Sequence, residues 1–227
     1  NKKRIIHFLK KKFKNENLNI IDIGSHKGET IDLFLKNFSI QRIYAFEPNI
    51  ELFNYLIKRN YNKEKVKLMN YGVGLSEENL DLNIMIDSAS STFNTINLDT
   101  EYYKKKNKII TFLSNKKNLI NNKQKISVVS LSNIIMKDNI DKIDILKIDT
   151  EGFEFNILKG IRQSDYKKIQ YIYFEHHYDL MINKGYNFSD INSLLTKYNF
   201  KKIFKIRMNF RKSFEYIYEN KIKNEFK

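Results

Sequence analysis

The sequence contains no cysteine, a single proline and only seven glycines in 227 residues. Without cysteine there is no disulfide, no thiol nucleophile and no cysteine zinc site, a composition that fits a reducing compartment. No apolar run approaches the ~18 residues that a membrane-spanning helix needs. The segment NKKRIIHFLKKKFKNEN has only short apolar pairs between lysines and no small-residue cleavage site, so it does not read as a secretory signal. These absences lead us to expect a cytoplasmic protein. Within about residues 1–16, Ile5, Ile6, Leu9 and Phe13 share one face of a basic helix. That face either packs on the fold or lies on an anionic membrane, and packing is the simpler expectation.

What is present is a 41% apolar share and a formal charge of +15. The first supports one domain over residues 1–227 with a full core. The second raises a nucleic-acid partner, helped by aromatics among basic residues in KKIFKIRMNFRKSFEYIY. Yet the lysines are spread through helices and loops alike rather than gathered in one patch.

Short apolar runs alternate with helical patterns along most of the chain. LNIIDIG, RIYAFEP, VKLMNYGVG, IDILKID and IQYIYFEHH read as strands, rich in Ile, Val and Tyr and closed by polar or glycine residues. Near-continuous hydrophobicity, as at Ile20, Ile21 and Ile23, is expected where a parallel strand is covered on both faces. Ile31, Phe34, Leu35 and Phe38 form a helical stripe after Gly28, and Leu52, Phe53, Leu56 and Ile57 form another after Pro48. A shorter helix follows Gly152. This alternation predicts a doubly wound α/β sheet. From about residue 180 the rhythm changes: a helix capped by Ser189 or Asp190 leads to KKIFKI, a polar link and FEYIYEN. The link has room for a hairpin only, so these last two strands should run antiparallel. Residues 87–125 are polar, Lys/Asn-rich and weakly periodic, an insertion that reads as a solvated loop or as a lid. Its Ser88, Ser90, Ser91 and Thr92 lie at the edge.

Ligands of open α/β sheets sit at the carboxyl ends of the strands. After the first strand stands DIGSHKG, a D-x-G-x-x-x-G pattern. A pyrophosphate turn would need G-x-G-x-x-G, and His26 holds the place of its second glycine; no Gly-Lys-Ser/Thr follows either. The pattern suits a ligand with a carboxylate, an ammonium and a ribose. Gly24 and Ser25 make the tight turn, Gly28 lets the ligand lie against the helix start, amides there hold a carboxylate, and Asp22 accepts from an ammonium or a water. The second strand ends in Glu47 and Pro48, with the acid placed for both ribose hydroxyls; the third brings Asn70 and Gly72 toward an adenine ring. S-adenosylmethionine carries all of these groups.

The fourth strand ends at Asp149, followed by Glu151, Gly152 and Glu154. Acids here suit substrate hydroxyls or the cofactor's amino group. Helix capping with Thr150 as N-cap explains part of the cluster, and Lys147 shares a strand face with Asp149. No N-P-P-Tyr or other amine-type motif follows this strand.

DIGSHKGET, AFEPN and above all ILKIDTEGFEFNILKG closely resemble the FkbM family of S-adenosylmethionine-dependent methyltransferases. The resemblance runs from about Asn17 to Gly160, and its most specific element spans Lys147 to Gly160. ISVVSLSNII is similar to the family's strand and turn before that motif. The family usually has Leu-Asp there and this chain has Leu131-Ser132, where serine still suits a helix cap. The resemblance implies a class I methyltransferase fold: seven strands, mostly parallel, a C-terminal antiparallel hairpin and helices on both faces. It also implies O-methylation, commonly of sugars or hydroxylated natural products, with Asp22, Gly24, Gly28, Glu47 and Asp149 along the cofactor crevice.

A sugar hydroxyl is a weak nucleophile that benefits from a base. His176 or His177, behind Glu175, is the expected base, with Asp149 or Glu151 orienting the acceptor. No metal is expected; magnesium on Asp149, Glu151 and Glu175 is a lesser reading. An RNA methyltransferase and a membrane-surface glycan-modifying module are the alternatives. His26 is read as solvent-facing.

Overall fold

The computed structural model describes residues 2–14, 16–114, 119–208 and 212–222. Its strands are β1 (Asn17–Ile23), β2 (Ser39–Phe46), β3 (Val66–Met69), β4 (Gly72–Gly74), β5 (Glu78–Met85), β6 (Ile120–Ser130), β7 (Ile143–Ile148), β8 (Ile169–His177), β9 (Phe200–Arg207) and β10 (Ser213–Asn220). The helices are α1 (Lys2–Lys12), α2 (Glu29–Asn37), α3 (Ile50–Lys58), α4 (Glu101–Ser114), α5 (Leu131–Lys137), α6 (Glu154–Lys159), α7 (Gln163–Tyr166) and α8 (Phe188–Lys197). The main sheet has seven strands in the order β3-β2-β1-β7-β8-β10-β9. Six run in one direction and β10 is inserted antiparallel between β8 and β9, the expected topology. Asn209, Phe210 and Arg211 of the hairpin link lie outside the described residues.

Because side chains alternate along a strand, the sheet builds two cores. Ile21, Ile23, Leu146, Ile148 and Phe174 pack against α5, α6 and α8 on one face. Ile20, Ile43, Ile145, Tyr173 and Ile217 pack against α1, α2 and α3 on the other. Ile5, Ile6, Leu9 and Phe13 all belong to this second core. The apolar face of α1 is therefore spent inside the fold and is not offered to a membrane. Among the described residues, no helix is long and apolar enough to span one.

Three expectations need correction. VKLMNYGVG is two strands, because the Asn70 side chain turns back to donate to the carbonyls of Glu47 (2.8 Å) and Pro48 (3.0 Å) and makes a corner. Beyond it β4 joins a second sheet, β4-β6-β5. The 87–125 stretch is not one loop: it holds α4 and the start of β6, which pairs antiparallel with β5. The helix caps also differ. Asn187, not Ser189 or Asp190, caps α8 in a capping box with Asp190. Ser130 caps α5, while Ser132 is buried and accepts from the Arg162 amide at 2.8 Å.

Candidate active site

The face that carries α1–α3 continues past the core as a row of polar side chains. Asp22 on β1 lies beside Lys147 on β7, and Lys147 lies beside Tyr173 on β8. One step further along the same face, Glu175 on β8 lies opposite Glu215 on β10. These ends open into a cavity of about 360 Å³ whose lining includes Gly24, Ser25, His26, Glu47, Tyr71, Phe93, Asp149, Glu151, Glu175 and Glu215.

Glu47 is buried, and both its oxygens are engaged: Oε2 accepts from the His26 amide (2.8 Å) and Oε1 from the Asn49 amide (2.9 Å). Burial pushes its carboxyl up to about 7, against these two amides, with Asp22 adding and Lys147 subtracting. Ionised Glu47 is the better acceptor for a diol. Affinity for adenosylhomocysteine should therefore rise about tenfold from pH 6 to pH 8, a dependence that calorimetry should find abolished in Glu47→Gln.

Gly24 brings β1 and β7 together: a Cβ there would overlap the Asp149 carbonyl oxygen, and its φ is +83°. Gly28, also at positive φ, serves a different purpose from the one expected. Its α-carbon faces the Tyr61 hydroxyl and Leu56, so the missing side chain lets α2 pack rather than admitting a ligand. The turn's amides are committed too: Gly24 and Ser25 to the Phe46 carbonyl, His26 to Glu47, Lys27 to Glu29 and Gly28 to the Ser25 carbonyl. They do not form the expected carboxylate cradle; Lys2, which also lines the cavity, is a cation at its rim.

Asp22 is fully buried behind the cavity, and the ammonium it meets is that of Lys147, at 3.1 Å. Lys147 also lies 3.5 Å from Asp149 and donates to the Gly24 carbonyl at 3.2 Å. Burial works to discharge it, but Asp22 and Asp149 prevail and hold the ammonium above its ordinary value. Thr150 is no N-cap. Instead the buried Glu154 accepts from the Thr150 amide (3.3 Å) and hydroxyl (3.1 Å) and from the Gly152 amide (3.0 Å), fixing the loop that carries Asp149 and Glu151. Thr92 and Asn94 clasp the same loop through the carbonyls of Glu151 (2.8 Å) and Gly152 (2.7 Å).

The two histidines part company because they alternate along β8. His176 is buried among Tyr178, Tyr186 and Phe188 on the far face, outside the cavity lining. Burial, then Lys184 and His177, push its imidazole down to about 4. His177 shares the face of the acids, with Nε2 3.3 Å from Glu151 and 3.5 Å from Glu175, and Nδ1 3.6 Å from Asp179. Burial opposes its charge, yet Glu151, Asp179 and Glu175 carry it up to about 9. At neutral pH it holds a proton and cannot accept another. Neither histidine is placed as the expected base.

Asn70 changes role, whereas Gly72 lines the cavity as expected. Asn70 makes the corner already described, and Gly72 leaves room for the Phe93 ring, 2.8 Å from where its Cβ would stand. The cavity instead gains residues that the sequence reading did not assign. His26 lines it, its Nε2 2.9 Å from the Ser88 hydroxyl. Tyr71, Leu82 and Phe93 provide an apolar wall, with Ser88 and Ser91 beside it. Among the described residues, no three histidine or carboxylate groups are grouped to hold a metal ion.

This donor set fits an amino-acid nucleoside: one buried carboxylate for a diol, an aromatic wall for a base, and mixed charge at the strand ends. A seven-stranded sheet in this order, with the crevice at its strand ends, is the class I methyltransferase fold. Residues 22–202 match the model of the methyltransferase FkbM domain, and the chain belongs to that family. S-adenosylmethionine is accordingly its expected cofactor. Among solved structures the chain is similar to the methyltransferase FkbM from Methylobacillus flagellatus KT, at 15% identity and TM-score 0.56, covering 91% of this chain and 44% of that one. It thus spans under half the length of that relative. It is similar to M. capricolum TrmK in complex with S-adenosyl-homocysteine, at 11% identity and TM-score 0.53, over 97% of this chain and 67% of that one. The METTL16 MTase domain matches at 10% identity and TM-score 0.52, over 95% and 65% of the two chains. At these identities the likeness concerns the fold. No curated protein matches the sequence.

Proposed function

We propose that the chain transfers the methyl group of S-adenosylmethionine to a hydroxyl of a sugar, a glycan or a small hydroxylated metabolite. The observation that carries this reading is the acid-lined end of the crevice. Asp149, Glu151, Glu175 and Glu215 come from the ends of β7, β8 and β10 and line the same cavity as Glu47. Carboxylates arranged so are acceptors for the O–H donors of a polyol, and they repel a phosphate backbone.

The bound cofactor supplies an electrophilic methyl on a sulfonium. This chain's own task is to hold the acceptor oxygen in line with it and exclude water. Glu47, Gly24 and Ser25 fix the donor end; Asp149 and Glu151 orient the acceptor, held by Lys147, Glu154 and His177. Ser88, Ser91 and Phe93 cover the crevice, the part played by a lid. Residues 1–227 act as one domain.

Labelled S-adenosylmethionine incubated with the methyl glycosides of glucose, galactose, mannose and rhamnose should give products heavier by one methyl group. Transfer only to bases of RNA would overturn the reading. The net charge of +15 favours that second possibility. An RNA enzyme would lose affinity steeply with salt, whereas the acid-lined crevice predicts that transfer changes little between 50 and 200 mM salt (~ a factor of two at most).

A further inference from the structure

One carboxylate in this crevice is left over. Glu215 is 5% exposed and lies on β10 opposite Glu175. Its Oε1 accepts from the Tyr173 hydroxyl, but its Oε2 is buried and has no hydrogen-bond partner among the described residues. A buried oxygen with no donor costs stability, and native proteins keep few of them. Here the residue lines the cavity itself, at the end where Asp149, Glu151 and Glu175 also meet it. An acceptor hydroxyl entering this cavity would supply the donor that Oε2 lacks.

Resting on the hydroxyl-transfer reading, we infer that Glu215 is the base of this enzyme, receiving the acceptor O–H on Oε2 and removing its proton. As the new C–O bond forms and the sulfur–methyl bond breaks, the positive sulfonium becomes a neutral thioether. The hydroxyl proton ends on Glu215 and passes to solvent before the next turnover, so charge and atoms balance. Tyr173, donating to the other oxygen, positions the carboxylate. Lys147 on β7, Asp149 just beyond it, and Tyr173 and Glu175 on β8 are the ionisable groups that act on it most. Burial and the Glu175 and Asp149 charges raise its carboxyl to about 7, against the Tyr173 hydroxyl and Lys147. A base is most effective when its pKa lies near the working pH. His176 and His177, at about 4 and about 9, do not meet that condition.

The test uses the full chain with glutamate labelled at the side-chain carboxyl with carbon-13. Wild type should show carboxyl resonances with midpoints near 7, of which one vanishes in Glu215→Gln. Methyl transfer to the glycoside panel should rise with pH through the same midpoint, and Glu215→Gln should lose at least ~100-fold while still binding adenosylhomocysteine. Tyr173→Phe removes the donor that lowers Glu215, so midpoint and rate profile should both move to higher pH, a joint shift that a structural role would not produce. Equal transfer by Glu215→Gln, or a rate profile that stays fixed while the Tyr173→Phe midpoint moves, would overturn the inference. If Glu215→Gln does not fold, the Tyr173→Phe arm decides. Wild-type protein that binds adenosylhomocysteine yet methylates no glycoside refutes the hydroxyl reading and this inference with it. Failure of Glu215 alone looks different, since wild type then transfers and the variant keeps pace.

Discussion

Lys147→Met should destabilise the protein by about 3–5 kcal/mol, the usual cost of stranding a buried charge by removing its partner. Lys147 is 4% exposed and Asp22 is fully buried. Methionine fills similar space, so the loss is that of the ammonium and not of volume. Without it Asp22 has no cation and must be protonated to stay in the fold. A carboxyl forced neutral costs more as pH rises above its ordinary pKa, so the variant's deficit should be greatest at pH 7 and shrink toward pH 5. Urea unfolding at a series of pH values measures this. Adding Asp22→Asn should recover most of the loss. A variant as stable as wild type at pH 7 would show that the pair contributes little.

The second large effect belongs to His177, the cation among Glu151, Glu175 and Asp179. With a folded value near 9 against an ordinary 6.5, its contribution is present in full below about pH 6.5. It fades as pH rises through 9. The difference corresponds to about 3 kcal/mol. Wild type should thus lose thermal stability steeply between pH 7 and 10. His177→Gln should start lower and show a shallower slope over that window. Parallel slopes in the two proteins would refute the account. The base assignment separates from this one cleanly, because His177 holds its proton throughout the range in which transfer should occur.

Much of this was legible in the sequence, for identifiable reasons. The run Ile20–Ile23 followed by Gly24 specifies a buried parallel strand and a turn that no side chain could share. Glu47 stands at the next strand end because a lone acid closing an apolar run has few other uses. The Lys147–Gly160 motif locates the loop of Asp149 and Glu151. Parity along β8 removes His176 from the crevice, and the acids around His177, with Glu151 brought in from a distant segment, keep it protonated; neither is legible in the sequence. Adjacent residues on β8 face opposite sides, and only the cores decide that His177 joins Tyr173 and Glu175 while His176 joins Phe174. Glu215 carried a readable signal: an acid inside FEYIYEN, between aromatics that alternate on the other face. Its meaning depends on antiparallel pairing with Glu175, a contact between residues far apart in the chain. The split at Asn70 was hidden because apolar runs on both sides satisfy a strand pattern equally well, and periodicity does not say which sheet a strand joins.

The three-stranded sheet has a consequence for how such an enzyme can change. Among the described residues, none of its strands pairs with the seven-stranded sheet, yet Leu82 from β5 and the segment of Ser88, Ser91 and Phe93 face the crevice. Exchanges at these positions leave intact the ladders that hold Glu47 and Asp149. The fit of this wall to whatever it covers can therefore change while the strand ends that carry Glu47 and Asp149 stay constant.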